Sequence, residues 1–306
     1  MPVTYTDTSR HSDNVIFDKE VSQEIITKAI EDSAFMQLMP RMQIAGNGKK
    51  YQTIVGDPVP EWVAETAAKP VGKFDFGKKE VMPYKMAIIV PFSNEFRRDA
   101  RALYDALVAR LPGALAMKFD STVIGATAAP GGNFDQFSSC TAQSLVASVG
   151  HTAYDGLVAA FADIADHGGA LNGFALSPTA EGLLLAATDG QGRPLFVNSA
   201  ADGAIPRILS APVVSSRGMY KAGVAEVGTD GGTPAVVGVA GDWTQAMYGT
   251  VEGVQISISD QATLQSGTVT INLWQRNMFA VRAEIEIGFR ADTNCFNRLT
   301  GAVPLS

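Results

Sequence analysis

The run from Phe279 to Phe289 constrains this chain more than any other. Phe279, Val281, Ala283, Ile285, Ile287 and Phe289 fall on one side of a two-residue period, and Arg282, Glu284 and Glu286 fall on the other. Successive strand side chains point to opposite faces, so the run predicts a long strand with one face in a core and the other in water. Its backbone needs neighbouring strands. Met86-Ala87-Ile88-Ile89-Val90, continuing to Phe92, reads as a buried strand that can supply one. Thr268 to Leu273 belongs to the same final β unit.

A second pattern lies between them. Phe96, Ala100, Leu103, Leu107, Leu111, Leu115, Phe119 and Val123 recur every three or four residues. Such a stripe predicts an amphipathic helix of about 40 Å, capped by Ser93 and stopped near Gly125. Pro112-Gly113 lies inside it and predicts a kink or a short break. Nearer the start, Asp18 can cap a helix running to about Leu38, with Val21, Ile25 and Ala29 on one face and Pro40 ending it.

Residues 60–99 behave differently. Tyr51 to Val55 reads as a strand, Trp62 to Thr66 as another, Ala67 to Gly72 as a hairpin tip and Phe74 to Val81 as the return. Seven of the eleven lysines fall in 49–85, for a local net charge of +2, while the whole chain carries −7. Residues 129–265 carry −8 and residues 1–40 carry −4. A basic arm reaching off an acidic body suits docking on another copy's acidic surface, or serves only to keep the arm solvated.

Ala129-Pro130-Gly131-Gly132-Asn133 marks a change to a small-residue α/β pattern. Helices are predicted over 153–167, with Leu157, Phe161 and Ile164 inward, and over 178–187. Strands are predicted at 174–177, 213–215, 235–238 and 254–259, with a turn at Gly241-Asp242-Trp243 leading into Ala246-Met247-Tyr248. This segment interrupts the pairing of 86–92 with the final strands, so it reads as an insertion. At 306 residues and 46% apolar content, more than one domain is plausible.

Composition and motifs argue against most chemistry. The acidic balance disfavours sequence-specific nucleic-acid binding. There is no apolar run of membrane-spanning length and no Sec-type leader. Cys140 and Cys295 read as free thiols. His11, His151 and His167 have no metal-site spacing. Asp163 and Asp166 read as a solvated helix face rather than a catalytic pair. Gly228 to Thr233 lacks the Lys of a phosphate loop. An enzyme is disfavoured, no cofactor or metal is expected, and a hydrolase would need a nucleophile–base pair that the chain does not display.

Five stretches, in order, resemble the tailed-bacteriophage major capsid family, the Hong Kong 97 fold: Trp62-Val63-Ala64-Glu65 with Lys69-Pro70 and Phe74; Lys85 to Ser93; Asp120 to Gly125 with Pro130-Gly131; Gly241-Asp242-Trp243 with Val254 to Ile258; and Arg282 to Phe289 with Asp292, Cys295-Phe296 and Leu299. The resemblance implies an α+β fold with an N-terminal arm (1–48), an extended β-hairpin loop (49–85), a peripheral domain with a long spine helix (86–128 and 266–306) and an inserted axial domain (129–265). It implies a non-enzymatic shell protein that assembles as hexamers and pentamers into an icosahedral capsid around double-stranded DNA, without membrane. The shell would form in the host cytoplasm, with portal and scaffolding proteins as partners and a decoration protein as an optional one. No long charged segment precedes the arm, so scaffolding is expected from a separate protein, with a processed form of the chain as the less favoured alternative. An encapsulin-like compartment with the same fold is the alternative. Trp62, Glu65, Lys69, Lys73, Lys78 and Lys79 are the implied intersubunit loop residues. Some members join subunits by a Lys–Asn isopeptide bond assisted by a Glu. Lys69 or Lys73, Asn277 and Glu284 stand at the corresponding places; the favoured alternative, since many members do not crosslink, is that Glu284 lies on a wet strand face, Asn277 caps a strand start and the lysines make ordinary salt bridges.

Overall fold

The computed structural model describes residues 33–56, 61–63, 69, 71, 75–95, 109–148, 152–188, 193–195, 207–225, 232–266 and 269–304. The N-terminal arm before residue 33, the first half of the expected spine helix (96–108), most of the hairpin tip and the glycines at 228 and 231 lie outside them.

The long alternating run is strand β14 (Met278–Ala291), and its predicted inward residues are all buried. β4 (Tyr84–Ser93) pairs antiparallel along it from Met278↔Ser93 to Ile287↔Tyr84. On the other side of β14 lie β11 (Gln255–Ser259) and β10 (Ala246–Thr250), and β1 (Arg41–Gln43) extends the sheet beyond β10 in parallel. This makes five strands. β4 has β14 as its sole strand partner among the described residues. Its apolar run is therefore less buried than the sequence suggests: Ile88 and Ile89 are exposed, and burial begins only at Phe92. Hydrophobicity reports that a run needs an apolar neighbour, not which chain supplies it.

A second, six-stranded sheet has the order β5-β15-β9-β6-β8-β7. Its members are β5 (Thr141–Ser144), β6 (Gly173–Leu176), β7 (Arg207–Ile208), β8 (Ala211–Ser215), β9 (Val236–Gly241) and β15 (Phe296–Thr300). Strand pairing crosses the 265/266 boundary. β10 and β11 join the sheet of β14, and β15 joins the sheet built from residues 141–241.

The two sheets are linked twice, at matching corners. Between β9 and β10 the chain turns at Asp242, whose carboxylate caps a 3-10 turn over Trp243–Gln245. Between β14 and β15 it turns at Asp292, which caps the same kind of turn over Thr293–Cys295. The corners bond to each other: Asp242 N–H donates to the Cys295 carbonyl at 3.1 Å, and Asp292 N–H donates to the Gln245 carbonyl at 3.0 Å. Close approach is essential here. A Cβ on Gly241 would lie 2.1 Å from the Phe296 ring.

Helices complete the layers. α1 (Ala34–Leu38) begins at Ser33, whose hydroxyl accepts the Met36 N–H. The helix expected from Asp18 to Leu38 does not run unbroken through Ser33, which is extended at φ −94° and ψ 123°; residues 18–32 lie outside the described residues. α2 (Leu111–Val123) follows a turn at 109–110, so Pro112 starts a helix rather than kinking one. Proline lacks the N–H that a helix interior needs and clashes with the preceding turn, whereas the first turn tolerates it. Gly125, at φ +82°, ends α2 as predicted, with Ala126 N–H reaching back to the Ser121 carbonyl.

α3 (Ala153–Asp166) opens with a Thr152/Asp155 capping box, and α4 (Pro178–Leu185) is capped by Ser177. Both pack on one face of the six-stranded sheet through Leu157, Ala160, Ala180 and Leu184. The buried residues of α3 are 153, 156, 157, 160 and 164, which leaves Phe161 on the flank and half exposed, contrary to the inward assignment. On the sheet's other face an aromatic core joins both sheets. Phe137 stands 5.5 Å from Phe35, 5.5 Å from Phe289 and 4.6 Å from Phe296.

Candidate assembly surfaces

The hairpin of β2 (Lys49–Gly56) and β3 (Asp75–Val81) is antiparallel and leads to the long excursion between them. Lys50 pairs with Glu80 across it at 3.5 Å. Beyond the hairpin, Glu61–Val63 has no regular structure, so the expected strand does not begin there, and residues 64–66 lie outside the described set. Trp62 is 105% exposed and Val71 98%. An indole held wholly in water departs from the usual behaviour of Trp, which is highly buried on average. Lys69 and Lys78 are exposed and Lys79 is half-buried, while Glu65 and Lys73 lie outside the described residues.

On β14, the face away from the core carries an ion ladder. Lys85 lies 3.1 Å from Glu286 and 3.8 Å from Glu284, and Arg282 lies 3.5 Å from Glu284. Asn277 sits in the turn before β14 at φ +53°, and its side-chain oxygen accepts from Asn94 at 3.1 Å. Seven residues of chain separate Asn277 from Glu284, about 24 Å along an extended strand. One chain therefore does not bring the two groups together. The same turn presents Trp274, 70% exposed.

A knot that sequence reading missed lies at the root of the N-terminal segment. Asp120 of α2 accepts from Ser33 Oγ at 2.6 Å, from Ala34 N–H at 3.1 Å and from Ser216 Oγ at 2.8 Å. Burial pushes its pKa up to about 6, against the pull of these donors. A signal was available: 116, 119, 120 and 123 share one buried helix face, and Asp120 is its one carboxylate. Asp242, at the corner, has the opposite balance. Burial raises it, but Thr244, Ala170 and Asn172 together bring it below the ordinary carboxylate value.

The remaining candidates show ordinary roles. Asp163 accepts from Asn297 at 2.8 Å and Asp166 is exposed. Cys140 and Cys295 are free and buried, and burial pushes the Cys140 thiol up to about 12. His11 and His151 lie outside the described residues, and His167 is exposed. Among the described residues no group of three or more His, Cys, Asp or Glu is placed to hold a metal ion, and no helix is long and apolar enough to cross a membrane.

The sequence profile described as the phage capsid family matches residues 14–289. The chain belongs to the phage capsid family. Among capsid relatives, "Probable major capsid protein gp17" of Mycobacterium phage L5 is 30% identical over 303 residues, covering 92% of this chain and 88% of that one. The protein of the same description from Mycobacterium phage D29 is 29% identical over 296 residues, covering 94% and 90%. Among solved structures, a chain of Gordonia phage Cozz superposes with a TM-score of 0.72 at 20% identity, covering 90% of this chain and 88% of that one. A chain from the capsid of an empty GTA particle gives 0.63 at 14%, covering 98% and 96%. The capsid fold is therefore of the Hong Kong 97 type, and the capsid protein is a structural component of a virion.

Proposed function

We propose that this capsid protein assembles as hexamers and pentamers into an icosahedral shell that encloses double-stranded DNA in the host cytoplasm. The six-stranded sheet with α3 and α4, which includes β15, forms the axial unit toward each capsomer's centre; the sheet of β4, β10, β11 and β14 with α2 forms the peripheral unit; and the 49–85 loop lies across a neighbouring copy. Portal and scaffolding proteins are the implied partners. The observation that carries the reading is the hairpin arm: the excursion beyond β2 carries a Trp that its own chain leaves 105% exposed. Repeated modest contacts of this kind sum to a stable closed assembly.

Negative-stain microscopy of the purified protein, with nuclease protection of DNA in particles taken from infected cells, tests the proposal. Closed shells with protected DNA are the expected result. A population that stays monomeric under all assembly conditions overturns it. Shells that hold a protein cargo and no DNA would favour the compartment alternative.

A further inference from the structure

The exposed Trp62 has a matching recess elsewhere on the molecule. A cavity of about 300 Å³ opens between β4, α2 and the turn after α2. Tyr84, Met86, Phe119 and Phe134 wall it, with Ala128 and Pro130 at its margin. The aromatic walls are fixed. Tyr84 stands edge-on to Phe134 at 6.1 Å, Phe119 stands edge-on to Phe134 at 6.4 Å, and the Tyr84 hydroxyl accepts the Asn133 N–H. Edge-on aromatic walls with a thioether suit a further aromatic ring. Lys118 lies on the rim, exposed, and its ammonium has no carboxylate partner among the described residues. Glu61, also exposed, precedes Trp62.

The chain's own Trp62 does not fill this recess. Its ring is 105% exposed, so no wall of the recess covers it. The occupant that fits by shape and charge is the same segment of another copy.

We propose that the recess between β4 and α2 receives Trp62 of a second copy, with the incoming Glu61 against Lys118. The proposal rests on the shell reading and names the surface that the arm grips. The contact places a desolvated aromatic anchor beside a charge pair, the arrangement of an interface hot spot.

Co-assembly of two singly substituted chains, Trp62→Cys and Ala128→Cys, tests it. Cys140 and Cys295 are buried, so mild oxidation reports on the introduced pair. The expected result is a disulfide-linked dimer band from mixed particles on non-reducing gels, absent from particles of either chain alone. In addition, Trp62→Ala raises the concentration needed for assembly roughly ten-fold or more. Normal particles without the dimer band overturn the docking and leave the shell reading intact. A doubly substituted chain that runs as a fast-migrating, internally bonded monomer overturns it in favour of own-chain docking. Failure of the wild-type chain to form particles rejects the shell reading and the docking with it. If the cysteine chains do not assemble, charge exchange decides: Glu61→Lys weakens assembly, and adding Lys118→Glu restores it. Lack of restoration overturns the proposal.

Discussion

Strands β4 and β9 are both rich in apolar residues, and they end in opposite situations. Every residue of β9 is buried, with β15 and β6 on its two edges and cores on both faces. Among the described residues β4 has one strand partner, and it leaves Ile89 48% exposed and Ile88 36%. The difference lies in the number of neighbours, not in the strand's own composition. Edge strands with apolar residues are a hazard for a monomer. In the shell proposed above, the same exposure is surface available for contact between copies.

The largest effect should come from placing one charge in each strand. Val239→Asp buries an unpaired carboxylate in β9 and should cost more than about 4 kcal/mol, enough to prevent folding. Ile89→Asp faces Arg282 across the ladder and should change subunit stability by about 0.5 kcal/mol or less while blocking assembly. Thermal unfolding and microscopy of the two variants separate these outcomes. Equal destabilisation by both would end the contrast.

A smaller effect concerns Asp120, which ties α2 to Ser33 and Ser216. A carboxyl whose folded pKa is raised, here to about 6, loses stability as pH rises from its unfolded value of about 4 through 6. The loss is complete above that range and amounts to about 3 kcal/mol. Asp242 has the opposite sign. Its contribution is present above the ordinary carboxylate range and is lost as pH falls through its lowered pKa. Unfolding curves of wild type and Asp120→Asn between pH 4 and 7 should therefore diverge, with the wild type losing more as pH rises. Parallel curves would show that Asp120 is not the titrating group.

The smallest effect is expected at Glu284→Gln. It removes two contacts of 3.5 Å and 3.8 Å, which should cost under about 1 kcal/mol. Boiled, reduced particles of wild type and variant should both run as a monomer band. A ladder in the wild type that vanishes in the variant would instead assign Glu284 to isopeptide chemistry with Asn277.

The alternation of 279–289 and the spacing of 111, 115, 119 and 123 were enough to place β14, its pairing with β4 and the buried face of α2. Periodicity assigns Phe161 and the Met86–Val90 run inward because it finds apolar faces without saying whose core they enter. β1 escaped notice because Arg41-Met42-Gln43 has no alternation beyond a single residue. The corner bonds at Asp242 and Asp292 are backbone pairings between distant segments, which no local pattern encodes. Trp62 stood out by its place on a basic arm, but the recess near Tyr84 and Phe134 arises only when residues far apart in sequence meet.

Those two corners have a mechanical consequence. A single strand passing between two sheets acts as one pin, about which the sheets can swing. Two antiparallel crossings, fastened to each other by reciprocal 3.1 Å and 3.0 Å bonds, act as a pair of pins and remove that rotation. The body of the subunit then behaves as a stiff tile. In the closed shell proposed above, shape differences between identical tiles are expected in the β2–β3 hairpin, whose strands leave the body at the Lys49↔Val81 end.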